Sequence, residues 1–202
     1  MIRAFLAVEL SPSLRAELVP LQQELKRQIE PELKRGTRIS WALPASIHLT
    51  LKFFGDMEEQ AIDPLHAALE QAIGGRPAVI VPLERIGVFP RPDSPRILWV
   101  GPSEQWEKGT EATRMAAIHG AIEQACEELG FLPETRPYSP HLTLARIKMG
   151  ERHVGAALVR SGLLDQRFSV GRLAVDRVVL MQSELKPAGP VYTKRWDVWL
   201  RG

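Results

Sequence analysis

Two identical tetrapeptides, His48-Leu49-Thr50-Leu51 and His141-Leu142-Thr143-Leu144, hold the side chains of this sequence best suited to chemistry. Alternate side chains of a β-strand share a face, so each tetrapeptide places an imidazole and a hydroxyl together, with leucines behind them. A histidine with an ordinary pKa of about 6.5 can take or give a proton near neutral pH. If the two strands meet at a cleft, one histidine could activate water and the other could protonate a leaving oxygen. Together with the threonine hydroxyls, this predicts a polar site of the size of a phosphodiester.

Other uses of the histidines are less well supported by the sequence. Each motif supplies only one imidazole, and no third soft or carboxylate ligand recurs at a fixed spacing, so we expect no metal site and no cofactor. The sequence contains no G-x-S-x-G, P-loop or G-x-G-x-x-G motif. His66, His119 and His153 have no repeated partner, and we expect structural roles for all three.

The composition indicates a globular protein that does not rely on a large charged surface. Of the 202 residues, 45% are hydrophobic and 25% are charged, and the formal net charge is only +2. That charge argues against a long duplex-binding surface but permits a local pocket for one or two phosphates. No apolar run approaches the roughly 18 residues of a membrane span, so we expect a cytoplasmic protein without membrane contact. The single cysteine, Cys126, lies in an apolar stripe and is expected to pack in the core.

The order of predicted elements repeats along the chain. Each half is expected to contain strand, helix, motif strand, helix and strand, with matching elements about 90 residues apart. The predicted strands are 2–10, 47–55, 79–88, 96–101, 139–147, 168–181 and 191–200. The first predicted helix begins at residue 12 and ends at Pro31, and three further helices span 58–73, 111–129 and 152–163. Residues 89–95 are rich in proline and are expected to form a connecting loop.

This repeat predicts an α+β fold made by duplication. We expect a single bilobal domain over residues 1–202, with halves of about 1–90 and 95–202 and a possible strand exchange at the C-terminus. Two pseudo-symmetric, antiparallel-rich sheets would face each other across a central cleft, with helices on their outer faces. Strand alternation places His48 and Thr50 on the cleft side and Phe53 on the opposite face, with the leucines.

Beyond the two motifs, several further segments match a known family. The sequence resembles the 2H phosphoesterase superfamily, defined by two H-x-T-x motifs, and within it the RNA 2′,3′-cyclic phosphodiesterases, also called LigT-like proteins or 2′-5′ RNA ligases. The resemblance runs nearly from end to end. The matching residues outside the motifs are Arg3 to Ala7, Trp41, Lys52 to Gly55, Pro95 to Gly101, Pro140, Ala145, Arg146, Ser183 to Leu185 and Tyr192.

The resemblance implies a bilobal fold and metal-independent hydrolysis of a 2′,3′-cyclic phosphate to a 2′-phosphomonoester. It assigns His48 as proton donor and His141 as proton acceptor, and it places a phosphate-binding arginine at Arg146. Simple alternation would put Arg146 on the face opposite His141. A bulge or the end of the strand must therefore turn it inward.

Two aromatic residues close to the motifs have two possible roles. Trp41 and Tyr138 could stack on a nucleobase of single-stranded RNA, and packing roles are equally open for both.

The expected substrate is an RNA end or oligonucleotide with a 2′,3′-cyclic phosphate, bound by a monomer. Three alternatives remain open at this point. They are ATP-independent 2′-5′ RNA ligation in the same site, action on another cyclic phosphodiester, and a non-catalytic module that binds RNA ends.

Overall fold

The computed structural model describes residues 1–186 and 189–201. The strands are β1 (Ile2–Glu9), β2 (Arg38–Trp41), β3 (His48–Met57), β4 (Val79–Phe89), β5 (Ile97–Gly101), β6 (Leu142–Met149), β7 (Arg167–Val175), β8 (Arg177–Lys186) and β9 (Gly189–Trp199). The helices are α1 (Pro12–Ile29), α2 (Ile62–Ile73), α3 (Glu104–Glu107), α4 (Thr110–Glu128) and α5 (Glu151–Ser161). Within the described residues, no helix is long and apolar enough to cross a membrane.

Helix α1 shows how local sequence sets an element. Its N-cap is Ser11, whose side-chain oxygen accepts a hydrogen bond from the Leu14 backbone N–H at 3.2 Å, and Pro12 occupies the first turn. The predicted apolar stripe is buried, and its members are Leu14, Leu18, Leu21, Leu25 and Ile29. This stripe fixes which side of α1 packs onto the sheet.

The described strands pair antiparallel in one sheet, which confirms the predicted combination of helices and antiparallel strands. The order is β7-β4-β5-β6-β3-β1-β8-β9, with β2 also paired to β6. The two motif strands, β3 and β6, are neighbours at the centre of this order and pair through Leu49 and Leu142. The expectation of two separate facing sheets is therefore replaced by a single sheet that is joined at the motifs.

Most of the core lies between the helices and one face of the sheet, and it includes Leu49 and Leu142. The other face carries a small cluster of Phe5, Ala7, Val179 and Met181. Because side chains alternate along a strand, this second face is the one that the motif histidines share.

Three features of the sheet differ from the sequence prediction. Strand β4, expected in the first half, pairs with β5 and β7 from the second half. The predicted strand 168–181 is two strands, β7 and β8, which separate at Asp176 and pair with β4 and β1 respectively. Strand β2 was not predicted. The physical reason is common to all three, since strand partners distant in the sequence decide where a strand ends and what it joins.

Candidate active site

The four polar side chains of the motifs lie together at the centre of the sheet. His48 begins β3, and His141 stands directly before β6. Since Leu49 pairs with Leu142 in antiparallel register, Thr143 comes beside His48 and Thr50 comes beside His141. All four side chains are partly buried. The structure thus brings together the two histidines and two threonines that the sequence singled out.

The two imidazoles are held in the same way. Nδ1 of His48 lies 2.9 Å from the Ser46 carbonyl oxygen, and Nδ1 of His141 lies 2.8 Å from the Ser139 carbonyl oxygen. A carbonyl oxygen only accepts, so Nδ1 carries the hydrogen in both rings. The Nε2 atom is then the position that can take a proton in the neutral form and give one in the charged form. Both contacts use the backbone carbonyl two residues before the histidine, which any residue type supplies, so the sequence offers no signal for them.

Burial tunes both histidines in the same direction. Desolvation lowers the pKa of His48 below its usual value, the hydrogen bond to Ser46 raises it, and the nearby cations of Arg146 and Arg15 lower it further. Desolvation likewise lowers the pKa of His141, with the same opposing carbonyl bond and the same lowering by Arg146. Burial and the nearby positive charge both favour neutral imidazoles when no anion is bound. A bound phosphodiester anion would favour the charged form.

Aromatic side chains surround each imidazole. The ring of Phe5 stacks on His48 with centroids 4.6 Å apart, and Tyr192 meets His48 edge-on at 5.3 Å. On the other side, Phe89 meets His141 edge-on at 4.9 Å. These contacts desolvate the rings and restrict their orientation. Phe5 and Phe89 were not predicted as site residues.

A β-bulge follows each histidine at the same position of the motif. Leu6 pairs with Lys52 and Ala7 with Thr50, which leaves Leu51 as the extra residue of β3. In the second copy, the pairing with β5 skips Leu144 in the same way. One extra residue shifts the alternation of side chains by one, so the fifth residue after each histidine returns to the histidine face.

The bulge in β6 turns Arg146 towards the site. Its side chain borders the same cavity as His48 and Thr143, and its charge acts on both histidines.

The matching bulge in β3 overturns the predicted position of Phe53. Instead of packing behind the motif, Phe53 is 54% exposed on the histidine face, where its ring stacks with Phe5 at 6.4 Å. The guanidinium of Arg3 lies 5.0 Å from the centroid of the Phe53 ring. The prediction was wrong here because strand alternation is broken at the bulge.

A buried polar side chain meets the carbonyl of each bulged leucine. Gln22 of α1 is 5% exposed, and its amide donates to the Leu144 carbonyl oxygen at 3.0 Å and to Ala42 at 2.9 Å. His119 of α4 is 9% exposed, and its Nε2 donates to the Leu51 carbonyl oxygen at 3.0 Å. The structural role expected for His119 is therefore a hydrogen bond to the carbonyl of the bulged Leu51.

Two cavities meet at the motifs. A cavity of about 450 Å³ lies beside Trp41, His48, Thr143, Arg146 and Tyr192. A second, of about 770 Å³, lies beside His141 and Phe53 and runs under residues 130–139. Thr50 borders both, so a substrate phosphate placed there would be accessible from two sides.

The segment over the second cavity is tied down by a buried ion pair. Lys52 Nζ lies 2.7 Å from Glu123 Oε2 and donates to the Leu132 carbonyl oxygen at 3.0 Å. The Glu134 N–H donates to the same carboxylate at 3.0 Å. These bonds fix the residues that lead into the second motif.

The two candidate stacking residues differ in their surroundings. Tyr138 packs face to face on His119 at 4.0 Å, and its hydroxyl donates to the Thr50 carbonyl oxygen at 3.3 Å, so the geometry favours a packing role. Trp41 is partly exposed beside the first cavity, with the Lys26 ammonium 5.1 Å from its ring centroid and its indole N–H bonded to Glu30.

Among residues 1–186 and 189–201, no group of three or more histidine, cysteine, aspartate or glutamate side chains comes together in a form that could hold a metal ion. Cys126 is buried and free, and burial raises the pKa of its thiol to about 12. This is the core position expected for it.

Several known proteins are similar to this chain over nearly its whole length. An RNA 2′,3′-cyclic phosphodiesterase of Methanothermobacter thermautotrophicus is 34% identical over 95% of this chain and 95% of its own. A crystal structure from Thermus thermophilus matches with a TM-score of 0.71 and 27% identity over 100% of this chain and 99% of that one. Escherichia coli LigT in complex with 3′-AMP also has a TM-score of 0.71, at 18% identity over 100% of this chain and 99% of its own, which shows a common fold.

The family itself is identified over most of the chain. Residues 40–186, which contain both motifs, match the family described as the 2′-5′ RNA ligase superfamily. The predicted family is therefore confirmed, and this chain belongs to the 2′-5′ RNA ligase superfamily of 2H phosphoesterases.

Proposed function

We propose that this chain hydrolyses RNA 2′,3′-cyclic phosphate ends to 2′-phosphomonoesters, using two histidines and no metal ion. The observation that carries the proposal is the matched pair of imidazoles. Both present Nε2, because both Nδ1 atoms are bonded to carbonyls, and both lie close to the positive charge of Arg146. The name of the Methanothermobacter relative supports the same activity.

The reaction needs one proton taken and one given. Neutral His141 would accept a proton from water as the water oxygen bonds to phosphorus. Protonated His48 would give its Nε2 proton to the 3′ oxygen as the bond between phosphorus and that oxygen breaks. The product carries its phosphate on the 2′ oxygen. Proton exchange with solvent would then return both histidines to their starting forms.

Negative charge develops on the non-bridging phosphate oxygens in the transition state, and hydrogen-bond donors that are already positioned beside these oxygens would stabilise it. Arg146 borders the cavity that Thr50 and Thr143 also border, so a guanidinium and two hydroxyls would hold the non-bridging oxygens. The ribose and base would extend from this point towards exposed aromatic rings. Phe53 is the strongest candidate for stacking, since its ring is exposed beside Phe5, and Trp41 borders the other cavity.

The arrangement of the sheet supports a duplicated, bilobal origin for this site. Leu49 and Leu142 occupy the same position of the repeat and pair with each other, as a twofold axis between them requires. Moving outward from the motif strands, β3 is followed by β1 and β6 by β5, and these strands begin the two halves. Each half also sends a strand to the opposite side. Strand β4 of the first half lies beside β5, and strand β8 of the second half lies beside β1.

The proposed function is tested by incubating the protein with cytidine 2′,3′-cyclic phosphate in excess chelator and following the products by phosphorus NMR. We expect the 2′-monophosphate to form at the same rate with and without chelator. Loss of turnover on chelation would contradict metal independence. Formation of the 3′-monophosphate would contradict the assigned leaving oxygen.

The same incubation separates the remaining alternatives. Tight binding of an RNA end without turnover would favour a non-catalytic module. A 2′-5′ linked product on addition of RNA with a 5′-hydroxyl end would show that the site also works in the joining direction.

A further inference from the structure

A groove lined by arginines opens from the catalytic site and is not used by the chemistry described above. Its volume is about 820 Å³, and Arg91, Arg96 and Arg136 line it together with Phe89 and Ile97. Phe89, Ile97 and Arg136 also border the cavity that contains His141. The groove and the catalytic cavity are therefore continuous.

The backbone places this groove close to the reacting centre. The Arg96 N–H donates to the Phe89 carbonyl oxygen at 2.6 Å, and the Arg96 carbonyl accepts from Ile147 N–H at 2.9 Å. Arg96 is thus held between β4 and β6, next to Ile97, which pairs with Arg146. The ring of Phe89, at the entrance of the groove, contacts His141 at 4.9 Å between centroids.

The groove is positively charged, and most of its guanidinium groups are free to bind an anion. Arg91 forms an exposed ion pair with Asp93 at 2.9 Å. Arg96 and Arg136 are exposed, and neither forms an ion pair with another side chain in the described part of the chain. The carboxylate of Glu134 accepts the Arg136 backbone N–H at 3.3 Å. An arginine fork matches the oxygens of a phosphate, so the unpaired guanidiniums suit a second anionic group of the substrate.

We propose that this groove binds the backbone phosphate of the nucleotide on the 5′ side of the cyclic phosphate. The proposal rests on the proposed function, because a cyclic phosphate marks the 3′ end of a strand and leaves only the 5′ side to extend. The enzyme would then distinguish an oligonucleotide end from a free cyclic nucleotide, which lacks this phosphate.

The test compares two substrates and one double variant, Arg96→Ala with Arg136→Ala. For a trinucleotide that ends in a 2′,3′-cyclic phosphate, we expect kcat/KM to fall by at least about tenfold, mainly through KM. For cytidine 2′,3′-cyclic phosphate, which cannot reach the groove, kcat/KM should stay within about twofold of the wild type. Arg27→Ala with Arg160→Ala, on the exposed surfaces of α1 and α5, removes the same charge elsewhere and should affect neither substrate.

Binding of a labelled trinucleotide with a 3′-phosphate, followed by fluorescence anisotropy, gives a readout that does not need turnover. The Kd should rise by about tenfold in the groove variant. The dependence of log Kd on log salt should become shallower by about 0.7 for each phosphate that the variant no longer neutralises. An unchanged Kd, or equal decreases in kcat/KM for both substrates, would overturn the groove assignment. Absence of turnover in the wild type, by contrast, would refute the proposed function and leave the binding result to decide on the groove.

The buried contacts to the bulged leucines carry a second, independent inference. We infer that Gln22 is a positioning residue for Arg146. Gln22 bridges the Ala42 and Leu144 carbonyls behind the bulge, and Arg146 follows that bulge by two residues. The corresponding bond from His119 reaches Leu51, two residues before Phe53. Removal of either donor would leave a buried carbonyl poorly satisfied and would allow the bulge to relax.

The variant Gln22→Met keeps the shape of the side chain and removes the donor. We expect kcat/KM for the cyclic nucleotide to fall by about tenfold or more, since Arg146 would no longer be held beside the histidines. The pH optimum should move upward, because the charge that lowers both histidine pKa values would retreat. In the Arg146→Ala background, Gln22→Met should have almost no further effect on activity.

A purely structural role for Gln22 predicts a different result. Stability measured by urea unfolding would fall, while kcat and the pH optimum of the folded protein would stay at wild-type values. Full additivity with Arg146→Ala would overturn the inference as well. Gln22→Leu, which also lacks a donor, should reproduce the effect of Gln22→Met if the variant with methionine folds poorly.

Discussion

Replacing His48 or His141 with alanine is expected to lower kcat by about 10²- to 10⁴-fold, the usual contribution of a positioned acid or base. Each imidazole has its Nδ1 atom bonded to a carbonyl and its Nε2 atom available, whereas the Nε2 atom of His119, which borders the second cavity, is bonded to the Leu51 carbonyl. Because the two groups act in one step, the double variant should be about as slow as the slower single variant. Steady-state kinetics on the cyclic nucleotide gives these values. The matched control is His153→Ala, which alters a partly exposed histidine on α5 and should leave kcat unchanged.

The two histidines can be told apart by changing the leaving group. In a cyclic phosphorothiolate, sulfur replaces the 3′ oxygen. The leaving group is then a thiolate, which needs little help from an acid. This substrate should restore most of the turnover of His48→Ala and little of that of His141→Ala. The opposite pattern would exchange the two roles. Full activity of both single variants on the ordinary substrate would contradict the two-histidine mechanism.

Replacing Arg146 with alanine is expected to lower kcat/KM by about 10²- to 10³-fold, as for the loss of one donor to a developing charge. The pH profile should change as well. The bell-shaped kcat/KM profile of the wild type is centred midway between the two histidine pKa values, and both lie below 6.5, so the optimum should lie below pH 6.5. Removing the guanidinium removes one cause of the lowering, so both pKa values rise and the optimum of Arg146→Ala moves to higher pH.

The variant Arg146→Lys separates charge from geometry. It keeps the positive charge, so its pH optimum should stay close to that of the wild type. It loses the planar fork, so its kcat/KM should still fall, although by less than that of Arg146→Ala. Measuring both variants across the pH range checks the two effects together. A pH optimum that stays fixed in Arg146→Ala would contradict the proximity of this charge to the histidines.

Much of this molecule follows from local sequence. The stripe of α1 and its Ser11 cap define a helix with a single buried face, because helical spacing brings its leucines together whatever they pack against. The two motifs likewise predict their own shared face, since His48 and Thr50 are two residues apart on a strand. The repetition of the motif was enough to indicate the pair of histidines and the family to which the chain belongs.

Tertiary structure decided which residues complete the site. The bulges at Leu51 and Leu144 exist only in relation to β1 and β5, so alternation within the motif strand could not place Phe53. The same holds for β4, which looked like the last strand of the first half and instead joins β5. Local sequence records the period of an element, whereas register and partner depend on contacts between residues far apart in the chain. The two His-Leu-Thr-Leu segments therefore singled out the pair of histidines by themselves, and the resemblance singled out Arg146. Only the folded sheet determined that Phe53 would stand beside them and that a bulge turns Arg146 inward.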